Sequence, residues 1–163
     1  MKPCGQPDRK TSTISEYTGQ NTSNHTIHTF AGIELRLACQ ELMQRQGYPE
    51  PTGQAKITPA FNLPCDYVIH TVGPIVEGFL RKKHEELLAS CYRSCLKMAD
   101  ANGVQSIAFC CISTGVFLFP NRKAAEIAVQ TVKKYKEDTK SSIKVIFNVF
   151  KEEDLKIYHE ILR

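Results

Sequence analysis

The chain has 163 residues, 42% of them hydrophobic and 23% charged, with a formal net charge of +4. That length fits one domain with a real core, and the composition is that of a soluble globular protein. The mild, scattered positive charge suits an anionic small molecule and argues against a nucleic-acid partner, and no apolar run is long enough to span a bilayer.

Residues 1–26 are rich in Thr, Ser, Asn and Gln and show no hydrophobic period. Such a segment buries too little to offset its ordering entropy, so it is expected to be a divergent, mobile stretch ahead of the domain proper at 27–163. From Thr29, read as an N-cap, Leu35, Ala38, Cys39, Leu42 and Met43 recur at helical spacing until Gly47. Gln54 to Phe61 and Asp66 to Val72 read as extended segments separated by Pro64. A second helix is expected from Gly78 to Ala101, stopped by Asn102-Gly103. A short apolar strand, Ser106 to Cys111, leads through a loop into a helix over Asn121 to Glu137. The strand Lys144 to Val149 and the helix Glu152 to Leu162 complete the pattern. Short apolar strands alternating with amphipathic helices indicate α/β layering about a largely buried sheet.

The segment most informative about chemistry is Ser113-Thr114-Gly115-Val116-Phe117, between an apolar strand and a helix that opens at Pro120 or Asn121. A turn of this kind leaves backbone N–H groups unpaired near the positive end of a helix dipole. Gly115 admits a bulky anion close to the backbone, and two hydroxyls add hydrogen bonds. Spacing alone does not separate such a phosphate-binding turn from an inert loop of the same composition.

The wording of this segment, ISTGVFLFP from Ile112 to Pro120, resembles the diphosphate loop of macro domains. Three further stretches agree in the same order: IHTFAGIELRLAC from Ile27, ITPAFNLPCDYVIHTVGP from Ile57, and VIFNVFKEEDLKIY from Val145. HTFAG and LPCDYVIHTVGP are most similar to the sirtuin-linked, zinc-containing ADP-ribosyl hydrolase branch. The resemblance implies a three-layer α/β/α fold with a mixed central sheet, here lacking N-terminal strands, and a cleft for ADP-ribose or an ADP-ribosylated protein. It implies that Ser113, Thr114, Gly115, Val116 and Phe117 wrap the diphosphate and distal ribose, and that Phe150 lies against the adenine. Leu118 stands where the family usually has glycine. Asn24 occupies the place of the catalytic Asp and cannot accept a proton as a carboxylate does. Thr22 stands at the last Cys of the zinc set and is a poor ligand for zinc, so no metal ligand is assigned and no cofactor is certain.

Other chemistry-bearing residues read more simply as structure. His28 and His70 are expected to be hydrogen-bonded or packed, Cys91 and Cys95 to be small core groups, and Cys110 and Cys111 to face opposite ways. Cys4 is the cysteine expected to be most open to oxidation, and Lys133, Lys134 and Lys136 form a solvated helix face. Arg122 and Lys123 adjoin the loop and could support an anion. Seven cysteines, an odd count with no leader-like segment, indicate reduced thiols in a cytoplasmic setting. Three functions fit: an ADP-ribosyl hydrolase, an ADP-ribose-binding module without turnover, or a truncated domain with exposed apolar faces.

Overall fold

The computed structural model describes the backbone of residues 11–16 and 22–163, and the side chains of 26–163. In chain order the elements are β1 (Thr11–Glu16), α1 (Thr22–Ala31), α2 (Ile33–Gln46), β2 (Ala55–Pro59), β3 (Tyr67–Thr71), α3 (Lys82–Ala101), β4 (Ser106–Phe109), α4 (Asn121–Thr139), β5 (Lys144–Phe147) and α5 (Glu152–Leu162). Across the sheet they run β2, β3, β1, β4, β5. Only the β2–β3 pair is antiparallel; β1 pairs in parallel with β3 and β4, and β4 with β5.

Strand alternation splits the core between the two faces of the sheet. Val68 packs with Ala31, Leu35, Cys39 and Ala60 beneath α1 and α2. Its neighbour Ile69 joins Ile107 and Phe109 in the main cluster with Leu88, Tyr92 and Leu96 of α3 and Ala128 and Val132 of α4. A third cluster, Ala125, Val129, Ile157 and Tyr158, seats α5 on α4. The layering is α/β/α with a mixed sheet. On the α1 side, Ala108 and Ile146 of β4 and β5 join Ile27, Phe30, Leu63 and Pro64 in lining an open groove of about 500 Å³. No helix among the described residues is long and apolar enough to cross a membrane.

Three expectations need correction. Residues 1–26 were read as free of regular structure, yet β1 and the start of α1 fall inside them, with β1 at the centre of the sheet. The pairing of Ser12 with both Tyr67 and Ile107 shows why: ladders on both sides hold this strand, so a strong apolar pattern is not needed to place it. The helix expected to start at Thr29 is two helices broken at Gly32, whose φ of 92° lies in the left-handed region. A Cβ there would come within 2.7 Å of Asn62 Nδ2, so Thr29 is in the last turn of α1 rather than at a cap. Helix α3 begins at Lys82 instead of Gly78, because Gly78 is left-handed and the Arg81 amide donates to His84 Nδ1 at 3.2 Å.

His70 is packed, as expected. Its Nε2 lies 2.9 Å from Thr58 Oγ1 and 3.8 Å from the Cys39 thiol, and burial, with nearby His28 adding, holds its pKa down at about 4. An unfolded histidine titrates near 6.5. As pH falls from there toward 4, the unfolded chain takes up a proton that the folded chain refuses. Stability is therefore full above about 6.5 and declines through that window, by about 3 kcal/mol in all. Thermal unfolding between pH 7 and 4.5 should show this decline, and His70→Gln should flatten it. Equal slopes in the two proteins would show that another group is responsible.

Candidate functional site at the carboxyl edge of the sheet

From β1 the chain builds β2 and β3 on one side, then crosses to build β4 and β5 on the other. The carboxyl ends of β1 and β4 therefore flank the point where the winding reverses, which is where open α/β sheets form their binding crevice. Among the described residues, three loops leave this edge: 72–81, 110–120 and 148–151.

The 110–120 loop is folded on itself and held from the side. Ser113 is buried with φ 64°, and its carbonyl accepts from the Phe119 amide at 3.0 Å. The Leu118 amide donates to Gly115 O at 3.1 Å, and Thr114 Oγ1 donates to Cys111 O at 3.1 Å. The Val76 amide donates to Phe117 O at 2.9 Å, which fastens the loop to the one after β3. Ile112, Phe117 and Phe119 are buried and anchor it below. The amides of Thr114, Gly115, Val116 and Phe117 then make no backbone hydrogen bond among the described residues. A Cβ built on Gly115 meets nothing within 4 Å, so the space beside this residue is open. Four amides at an open turn just ahead of α4 form a cradle for an anion.

Phe150 follows β5, the strand next to β4, and its ring is fully exposed. The Asn148 amide donates to Phe109 O at 2.7 Å, so the chain stays tied to β4 one step past the strand. The loop Ser113–Phe117 and Phe150 thus leave neighbouring strands on the same edge. Asn24 and Thr22 lie in the first turn of α1, and their side chains fall outside the described residues, as does Cys4.

Arg122 and Lys123 are engaged by other carboxylates: Arg122 donates to Glu160 at 2.6 Å, and Lys123 lies 3.5 Å from Glu85. The diphosphate support expected of them is shared with these ion pairs, which are exposed and individually weak. Cys110 packs against the main core and Cys111 against the α4–α5 cluster, so they face opposite ways. Burial, with Asp154 adding, pushes the Cys111 thiol up to about 12, which removes it as a thiolate nucleophile beside the loop. Among the described residues, no group of three or more His, Cys, Asp or Glu could hold a metal ion.

The loop after β3 escaped the sequence reading as part of the site. Its signal was present: HTVGP lies at the carboxyl end of a buried strand, where ligand-facing loops emerge.

Comparison with known proteins agrees with this geometry. The Macro domain family model matches residues 15–128. A curated relative from Treponema medium, named Protein-ADP-ribose hydrolase, is 59% identical over 139 residues, covering 85% of this chain and 53% of the relative. One of the same name from Staphylococcus aureus (strain MRSA252) is 51% identical over 152 residues, covering 90% and 57%. The chain spans about half the length of these curated relatives. Among solved structures, the Oceanobacillus iheyensis macrodomain with ADP superposes with a TM-score of 0.86 at 37% identity, covering 95% of this chain and 84% of that one. The Trypanosoma brucei macrodomain in complex with ADP-ribose superposes with a TM-score of 0.80 at 31% identity, covering 95% and 64%. With its mixed sheet and a family-model match over most of its length, the chain belongs to the macro domain family.

Proposed function

We propose that this chain binds ADP-ribose at the carboxyl edge of its sheet and serves in the removal of ADP-ribose from modified proteins. The observation that carries the binding is the open cradle of unpaired amides from Thr114 to Phe117. A diphosphate there accepts from backbone N–H groups that have no backbone partner among the described residues, at the positive end of α4. Ser113 holds the turn in its left-handed conformation, and Val116 and Phe117 flank the distal ribose. Phe150, one strand away and fully exposed, offers its ring to the adenine. The names of the curated relatives support protein-linked ADP-ribose as the substrate. Cys39, Cys95 and Cys111 are free thiols, which supports a cytoplasmic setting.

A second reading, binding without turnover, is favoured by one residue. Where the resemblance calls for a catalytic Asp this chain has Asn24, and an amide cannot take a proton from water. Incubation with a mono-ADP-ribosylated protein separates the two. Release of ADP-ribose supports hydrolysis, and binding of the modified protein without release leaves the binding module.

The role of Phe150 has its own test. Stacking on a base is worth about 1–3 kcal/mol, so Phe150→Ala should weaken ADP-ribose at least about fivefold. Ribose 5-phosphate, which has no base, should bind the variant and the parent equally. An equal loss for both ligands would move Phe150 out of the adenine site.

A further inference from the structure

Around the cradle, four large apolar side chains point into water. Ile75 is 53% exposed, Phe79 86%, Val116 61% and Leu118 72%. The hydrogen bond from the Val76 amide to Phe117 O places the first loop directly against the second, so Ile75 borders Val116 and Leu118, with Phe79 farther along the same loop. Leu118 is the most telling of the four. Its φ of 57° is a conformation that glycine adopts freely and that costs other residues about 1–2 kcal/mol. The turn thus carries a bulky, water-exposed hydrocarbon at a position where glycine would be less strained. Clustered apolar exposure beside a binding crevice marks a surface that meets another molecule.

Strand order indicates which part of the ligand lies there. Phe150 follows β5 at one end of the crevice, the amide cradle follows β4, and the 72–81 loop follows β3 on the far side of β1. A ligand with its adenine on Phe150 and its diphosphate on the cradle extends its second ribose toward β1 and β3. A polypeptide attached through that ribose emerges over Ile75, Phe79, Val116 and Leu118.

We propose that this ridge is the docking surface for the polypeptide that carries the ADP-ribose, and that it selects modified proteins with apolar side chains beside the modified residue. The proposal rests on the ADP-ribose reading above. Its test compares ADP-ribose alone with two peptides bearing amide-linked, non-hydrolysable ADP-ribose, one flanked by leucines and one by glycines. The chain should bind the leucine-flanked conjugate at least about fivefold more tightly than ADP-ribose, and the glycine-flanked one no more tightly than ADP-ribose. In Phe79→Ser/Leu118→Asn that preference should vanish while affinity for free ADP-ribose is kept; asparagine tolerates the left-handed backbone. Phe79→Ser alone should lose most of the preference, should the double variant fail to fold. Equal binding of all three ligands by the parent chain would overturn the docking surface and leave the ADP-ribose site standing. A loss in the variant that falls equally on free ADP-ribose would also overturn it, making the ridge part of the nucleotide cleft. No binding of ADP-ribose by the folded parent chain would overturn both readings.

Discussion

Gly115→Glu should abolish ADP-ribose binding while leaving thermal stability nearly unchanged. The backbone at Gly115 does not have a positive φ, and a Cβ there meets no atom within 4 Å, so the folded chain accommodates the side chain in open space. That same space is where the diphosphate must sit. A carboxylate there both fills the cradle and opposes a dianion at close range. A loss of at least about 100-fold, or roughly 2.7 kcal/mol, is expected in a calorimetric titration. Retained affinity in this variant would place the nucleotide elsewhere on the molecule.

The second large effect is on stability. Four aromatic rings run through the fold. Tyr92 on α3 meets Phe109 on β4 at 4.9 Å, Phe109 meets Phe147 on β5 at 6.4 Å, and Phe147 meets Tyr158 on α5 at 5.0 Å. Phe109 is fully buried and links two of these contacts. Truncating such a phenylalanine costs about 3–5 kcal/mol, because the cavity adds to the lost transfer energy. For a domain of this size Phe109→Ala should lower the melting temperature by about 10 °C. Phe109 lies directly before the 110–120 loop and its carbonyl accepts from the Asn148 amide, so this residue joins the two segments proposed to bind the nucleotide. Ligand affinity should therefore fall as well, but saturating ADP-ribose should restore part of the melting temperature by mass action. A melting temperature within about 2 °C of the parent would show that the cluster collapses around the deletion.

What the sequence revealed, and what it withheld, follows from how each element is held. Strand β3 carries a near-continuous apolar run because both its faces are covered, and such a run is recognisable without a structure. The same holds for α3 and α4, whose buried residues recur at helical spacing. Strand β1 is different. TSTISE has one aliphatic residue, and its place at the centre comes from ladders to β3 and β4 that only the folded chain brings together. The break at Gly32 follows from a left-handed φ of 92°, a conformation that glycine adopts freely and that a helical hydrophobic period does not reveal.

The site divides along the same line. The cradle was legible as hydroxyls and a glycine between a strand and a helix, because a phosphate turn is a local structure. The clamp from Val76 to Phe117 and the exposed ridge it creates were not, because they join loops from two strands separated by β1. The backbone question raised by Leu118 was visible as a departure from the usual glycine, and the structure answers it with a left-handed φ.

Calorimetric titration of the chain with ADP-ribose tests the central claim most directly. A saturable isotherm with one site, lost in Gly115→Glu, is the result expected of the open amide cradle. No heat at millimolar ADP-ribose, from a chain that unfolds in one cooperative transition, would contradict it.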